Sequence, residues 1–237
     1  MLLSLLIATL DSRRASFEEL REELRRQIRA GGWESEVEIL HDADSGERSI
    51  GQKRNHLLDR ASGFFVAFID DDDRVSADYV SRICEAIQAS PGIDCIGIRG
   101  IVTFRGSHPH EFSHSIRYHD YFSRRHTYYR PPCHLNPMRR QIAASYRFAE
   151  VSYSEDIDWA LRIRRDGVLK REAYIDCVLY FYRARRAWSY QWLLDYTETV
   201  RHRFGIRLTN RLRLRNAIRS IGQVFCRTRN PSVNASN

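Results

Sequence analysis

Lysine is almost absent: Lys53 and Lys170 are the only two, and arginine supplies the rest of the 38 basic residues. With 30 acidic residues the formal net charge is +8, so the surplus sits on guanidinium groups, which suit bidentate contacts to carboxylates and phosphates. Composition leaves two readings of this, arginine-rich codon usage or an anionic partner such as a diphosphate, nucleic acid or lipid headgroups. Cysteine is sparse as well. Cys84, Cys95, Cys133, Cys177 and Cys226 are odd in number, scattered and never in C-x-x-C spacing. That argues against a disulfide framework or a zinc ribbon and fits a reducing, cytoplasmic compartment. The N-terminal apolar run Leu2–Leu10 is too short to span a bilayer, lacks a basic flank and leads into a charged segment. It reads as a buried strand and not as a signal peptide. There is no internal repeat and no low-complexity segment, which excludes solenoid architectures.

What is present is ordinary globular composition, 43% hydrophobic and 29% charged over 237 residues, enough for one α/β domain with a small appendage. Leu2–Ala8 predicts a buried parallel strand. Ser16 is expected to cap a helix over Phe17–Arg29, which Gly31-Gly32 ends. Val37–His41 predicts a second strand, Gly51–Ala61 a second helix and Phe64–Ile69 a third strand. Strand, helix, strand, helix, strand is the pattern of right-handed βαβ units, whose ligands bind at the carboxyl ends of the strands. Ser76 is expected to cap a helix over Ala77–Ala89, and Ile93–Arg99 and Ile101–Phe104 read as two strands. Phe112–Tyr118 predicts an edge strand, Met138–Ala144 a short helix, Glu155–Arg165 a helix capped by Ser154, and Ile175–Tyr182 a strand. Ser189–Arg203 and Arg207–Phe225 are expected to be closing helices, followed by a polar, disordered tail.

Two acidic stretches stand out. Asp70-Asp71-Asp72-Asp73 begins where the third strand stops. Four adjacent carboxylates repel one another, so arginines, a metal or solvent must compensate them. A hard divalent ion takes one or two carboxylates together with phosphate oxygens, which suits a nucleotide diphosphate site. The second stretch, Glu155-Asp156 with Asp158, opens a helix. The helix dipole alone favours acids there, and the alternative is a base for proton abstraction. Gly46–Lys53 partly matches a P-loop. Its lysine is displaced by one position and Arg54 stands where Ser or Thr is required, which excludes a P-loop NTPase. His108, His110, His114 and His119 lack the spacing of a zinc site.

Gly51-Gln52-Lys53-Arg54-Asn55, then Ala61-Ser62-Gly63, then Phe68-Ile69-Asp70-Asp71-Asp72-Asp73 resembles the core of family-2 glycosyltransferases. The resemblance runs from about Leu2 to Arg186. It implies an α/β fold of the GT-A type: a Rossmann-like, mostly parallel central sheet flanked by helices. The expected organisation is a GT-A domain over 1–186, a basic helical appendage over 187–229 and the tail over 230–237. The implied activity is inverting transfer of a sugar from a nucleoside-diphosphate sugar, UDP-linked by the family's habit, to an acceptor hydroxyl. The acceptor would be a glycan, a lipid-linked glycan or modified DNA. By the same resemblance Asp72 is the main ligand of Mn²⁺ or Mg²⁺, with Asp70 and Asp73 beside it and Asp71 as the variable position. Thr9, Asp11, Arg13, Asp42, Asp44, Lys53 and Asn55 border the nucleotide, and His134, Arg183 and Arg185 meet the diphosphate or acceptor. The Glu-Asp pair of the family falls on Glu155 and Asp156, with Asp156 as general base and Glu155 as the fallback.

A nucleotidyltransferase, or a nucleic-acid or membrane-surface binding module without activity, is the alternative. The second rests on Arg207, Arg211, Arg213, Arg215 and Arg219 around an apolar stripe, which also allows a peripheral membrane contact.

Overall fold

The computed structural model describes residues 1–184, except 105 and 126. The expected closing helices, the appendage over 187–229, the tail over 230–237 and the basic set Arg207–Arg219 lie outside the described residues. In chain order the elements are β1 (Leu3–Ala8), a 3₁₀ turn (Asp11–Arg13), α1 (Arg14–Gly31), β2 (Val37–Asp42), α2 (Ile50–Arg60), β3 (Phe65–Phe68), β4 (Arg74–Val75) and α3 (Tyr79–Ala89). They continue with β5 (Cys95–Phe104), β6 (Ser107–His114), β7 (Phe122–Arg124), β8 (Thr127–Arg130), β9 (Met138–Arg139), α4 (Arg140–Ser145), α5 (Glu155–Asp166) and β10 (Glu172–Ala184).

These strands form one sheet in the order β2-β1-β3-β9-β5-β6-β8-β7, with β10 joined to β5 and β4. The pairs β1–β2, β1–β3, β5–β10 and β6–β8 are parallel, whereas short β9 runs antiparallel between β3 and β5. The sheet is thus central, mostly parallel by paired length, and covered by helices, as the βαβ pattern requires. β1 shows why it forms. Leu3, Leu5 and Ile7 point to one face, with the apolar residues of α1 and α3, while Leu6 points to the other, with Leu57, Leu58, Trp159 and Ile163 of α2 and α5. Burial on both faces makes a near-continuous apolar run the right sequence for this strand. Registers Ala8↔Asp42 and Leu6↔Phe68 bring the carboxyl ends of β1, β2 and β3 to one edge.

Several boundaries differ from the sequence reading. Ser16 lies inside α1, because the 3₁₀ turn starts the helix earlier, at Arg14. Ser76 bonds Asp78 and caps nothing. The capping box is instead made by Ser49 and Gln52 at the start of α2. Gly32, at φ +71°, does end α1. Gly100 does not divide β5; a Cβ there would meet the Phe112 ring, so the glycine permits close approach within a continuous strand. The Phe112 segment is not an edge, since β6 pairs with both β5 and β8. Ser154 precedes α5 but makes no side-chain cap and takes the left-handed conformation, φ +64°.

Candidate active site

The acidic loop leaves β3 at the ligand edge, and its four carboxylates divide between two jobs. Asp71 is buried and accepts hydrogen bonds from Thr9 Oγ1 (2.6 Å) and Arg13 Nη1 (2.8 Å). Asp73 is buried on the β10 side, accepting from the Tyr180 hydroxyl (2.9 Å) and the backbone N–H of Arg183 (2.8 Å). Burial, and then the charge of Asp70, push the Asp73 carboxyl well above its ordinary range. Asp70 and Asp72 line a cavity of about 550 Å³, with side chains 28% and 24% exposed. Alternate residues of the loop therefore anchor it, and the intervening ones are presented.

Two cations join this loop to the start of α5. Arg54, fully buried on α2, donates from Nη2 to Asp70 (3.0 Å) and from Nη1 to Glu155 (2.7 Å). Its guanidinium also lies 5.8 Å from the Phe68 ring centroid and 5.5 Å from that of Phe148. His134 lies between Asp70 and Asp156, with Nε2 3.5 Å from Asp70 and Nδ1 3.3 Å from Asp156. Burial and the Arg54 charge press its pKa down, but Asp70 and the Cys133 thiol outweigh them and lift it to about 10. Burial opposes ionisation of Asp70, yet His134 and Arg54 hold its carboxyl well below the usual range. For Glu155 burial dominates over Arg54 and raises the pKa. Asp156 faces the cavity with Glu155, so both acidic stretches border one space.

Next to that space, at the ends of β1 and β2, the remaining polar residues pair among themselves. Lys53 Nζ donates to the Thr9 carbonyl oxygen (2.7 Å) and pairs with Asp44. Burial acts to raise the Asp44 carboxyl, but Lys53 and the amides of Gly46 and Arg48 hold it down to about 2. Asp42 accepts from Arg48 Nη1 (2.8 Å) and contacts His56 Nδ1 (2.7 Å). Asp11 accepts from Ser45 Oγ (2.7 Å), and its amide donates to the Asp44 carbonyl (3.0 Å). Asn55 points the other way, exchanging two bonds with the backbone of Phe148 (3.0 and 2.8 Å); its amide braces α2 against residue 148. Arg183 lines the cavity. Arg185 lies outside the described residues.

The rest of the lining includes Tyr121, Tyr128, Tyr153, Tyr182 and Arg130 among apolar residues such as Ile50, Val102 and Ile157. Cys133 Sγ is 3.4 Å from His114 Nδ1. Among the described residues no three His, Cys, Asp or Glu side chains form a ready-made metal cage. Asp70 and Asp72 nevertheless offer hard oxygen donors to an open cavity. That fits Mg²⁺ or Mn²⁺, which complete their shells with phosphate oxygens and water.

Sequence reasoning missed Arg54, Arg48, His56 and Cys133. Arg54 stands between Lys53 and Asn55, and a helix turns about 100° per residue, so these three neighbours serve three different places. Which one meets the acids depends on Glu155, 101 residues away in the chain.

The sequence model described as Glycosyl transferase family 2 matches residues 19–147. No curated protein matches the chain. Among solved structures, S. aureus TarS 1-349 in complex with UDP is similar, with TM-score 0.53 and 14% identity over 78% of this chain and 61% of that one. A structure of S. aureus TarS aligns with TM-score 0.52 and 14% identity over 78% of this chain and 37% of that chain. The chain thus spans less than two thirds of these neighbours, and the likeness at this identity is one of fold, of the GT-A type. The family match covers more than half of the sequence, and the chain accordingly belongs to glycosyl transferase family 2.

Proposed function

We propose that the protein transfers a sugar from a nucleoside diphosphate sugar, with UDP as the nucleotide, to an acceptor hydroxyl with inversion at the anomeric carbon. The observation that carries this is the meeting of Asp70 and Asp72 with Glu155 and Asp156 around one cavity, joined by Arg54 and His134. UDP in the TarS structure of similar fold supports the choice of nucleotide.

In this reading Asp72, with Asp70, holds Mg²⁺ or Mn²⁺. A bound cation would neutralise charge on the departing diphosphate. Asp71 and Asp73 shape the loop behind these ligands. Thr9, Asp11, Arg13, Asp42, Asp44 and Lys53 border the nucleotide, and Arg183 faces the diphosphate. Asp156 takes the acceptor hydroxyl's proton as its oxygen bonds the anomeric carbon. The carbon–oxygen bond to the diphosphate breaks, and the leaving group keeps the electron pair. One base carboxylate suffices for inversion, with Glu155 the substitute. His134 and Arg54 hold Asp70 in place and charged and tie it to the Glu155-Asp156 turn, so part of the electrostatics is set before substrate arrives.

The test is a donor screen with Mn²⁺ or Mg²⁺ on wild type, Asp72→Ala and Asp156→Asn. Asp72→Ala is expected to raise the donor KM by roughly 10–100-fold. Asp156→Asn should keep donor binding and lower kcat by about 10²–10⁴-fold. Release of pyrophosphate in place of UDP would indicate nucleotidyl transfer, and full turnover by both variants would end the proposal.

A further inference from the structure

Tyr153 is the most exposed large aromatic or apolar side chain among the described residues, at 81%, yet it forms part of the cavity wall. An aromatic ring left in water at a cavity mouth is informative where a scattered surface leucine is not. Its position is fixed by the backbone. The Gly51 amide donates to the Val151 carbonyl (3.1 Å), and the Ile50 amide to Ser152 Oγ (3.3 Å). Residues 149–151 lie so close to α2 that a Cβ on Gly51 would collide with the Ala149 carbonyl oxygen. After Tyr153 the chain turns sharply through Ser154 at φ +64°, a conformation uncommon for a non-glycine residue, and then presents Glu155 and Asp156. Tyr182, part-exposed, stands in the same wall.

Resting on the transferase reading above, we infer that Tyr153 is the platform for the acceptor and that the acceptor is a carbohydrate. A pyranose has an apolar C–H face and a rim of hydroxyls. The first lies flat on an aromatic ring, and the second meets carboxylates. Tyr153 and Asp156, three residues apart on one held turn, supply both halves. A nucleobase also stacks on tyrosine, but the charges next to Tyr153 in the chain are Glu155 and Asp156, which repel a phosphodiester, while Arg54, Arg130 and Arg183 are other parts of the lining.

The test uses the full chain and saturation-transfer NMR with chitotetraose, cellotetraose and maltotetraose. A single-stranded oligonucleotide is titrated in parallel at low and high salt. Wild type should bind at least one oligosaccharide. Tyr153→Phe should bind it within about twofold and Tyr153→Ala about tenfold more weakly, with unchanged thermal melting as the control for folding. Binding by Tyr153→Ala equal to wild type, binding of none of the sugars, or salt-sensitive binding of the oligonucleotide alone would each overturn the inference. UDP release from UDP-sugars by the wild type separates the two claims. Release without any oligosaccharide binding sinks only the acceptor assignment, and oligosaccharide binding without release from any donor sinks only the donor reading.

Discussion

Cys133 differs from the buried cysteines of the sheet and helices. Burial raises the thiols of Cys84 and Cys95 and leaves them inert. Burial acts on Cys133 too, but His114 and His134 outweigh it and hold the thiol down to about 5. A cavity-lining thiol ionised near neutrality is the reactive kind. Iodoacetamide at neutral pH should therefore alkylate Cys133 before Cys84 or Cys95, read by peptide mass spectrometry, and equal labelling of all three would contradict the assignment. The sequence showed Cys133 beside His134, but His114 reaches it through the pairing of β6 with β8, where His114 stands opposite Arg130. The same limit held at the acidic run. That Asp70–Asp73 stands at the ligand edge was legible, because the apolar strand before it fixes where the loop emerges. Which two carboxylates face the cavity was not, because Thr9, Arg13, Tyr180 and Arg183 decide it from far along the chain.

Among the elements, those defined by their own sequence were readable. β1, α1, β2, α2 and β3 carry their hydrophobic periods within themselves, and α1 its glycine stop. β9 does not: Met138–Arg139 is a strand because β3 and β5 leave a gap that its two residues fill. The start of α5 is likewise set from outside, by the contact of residues 149–152 with α2. This contact depends on Gly51. Gly51→Ala is expected to destabilise the fold by about 1–3 kcal/mol through overpacking and to displace the turn carrying Glu155 and Asp156. Chemical denaturation and kcat should then fall together. A variant as stable and as active as wild type would show that the contact has room to give.

Across the described residues, the ligand edge is held by charge pairs, from the local Asp42 with Arg48 and Asp44 with Lys53, through Asp70 with Arg54, to the long-range Asp71 with Arg13 and Glu155 with Arg54. Their carboxylates must be ionised to do this, so the edge should loosen in acid. Asp44 gives the sign, since its carboxyl is lowered from 3.8 to about 2. A carboxyl depressed in the folded state adds stability above its unfolded pKa, and this is lost as pH falls through the folded value. Asp44→Asn should melt below wild type near neutral pH, where it leaves buried Lys53 without its ion pair. The gap should narrow between about pH 4 and about pH 2, and a gap unchanged over that range would show that the pair contributes nothing through ionisation.

The Tyr180 phenol oxygen accepts from the amide of Asp70 (3.1 Å) and donates to the carboxylate of Asp73 (2.9 Å). One hydroxyl thereby links the first residue of the acidic loop to its last, alongside the hydrogen bond from the Asp73 amide to the Asp70 carbonyl (3.1 Å). In the proposed reading, a donor arriving at this edge would meet a loop already tied together by β10 and would spend less of its affinity on ordering it.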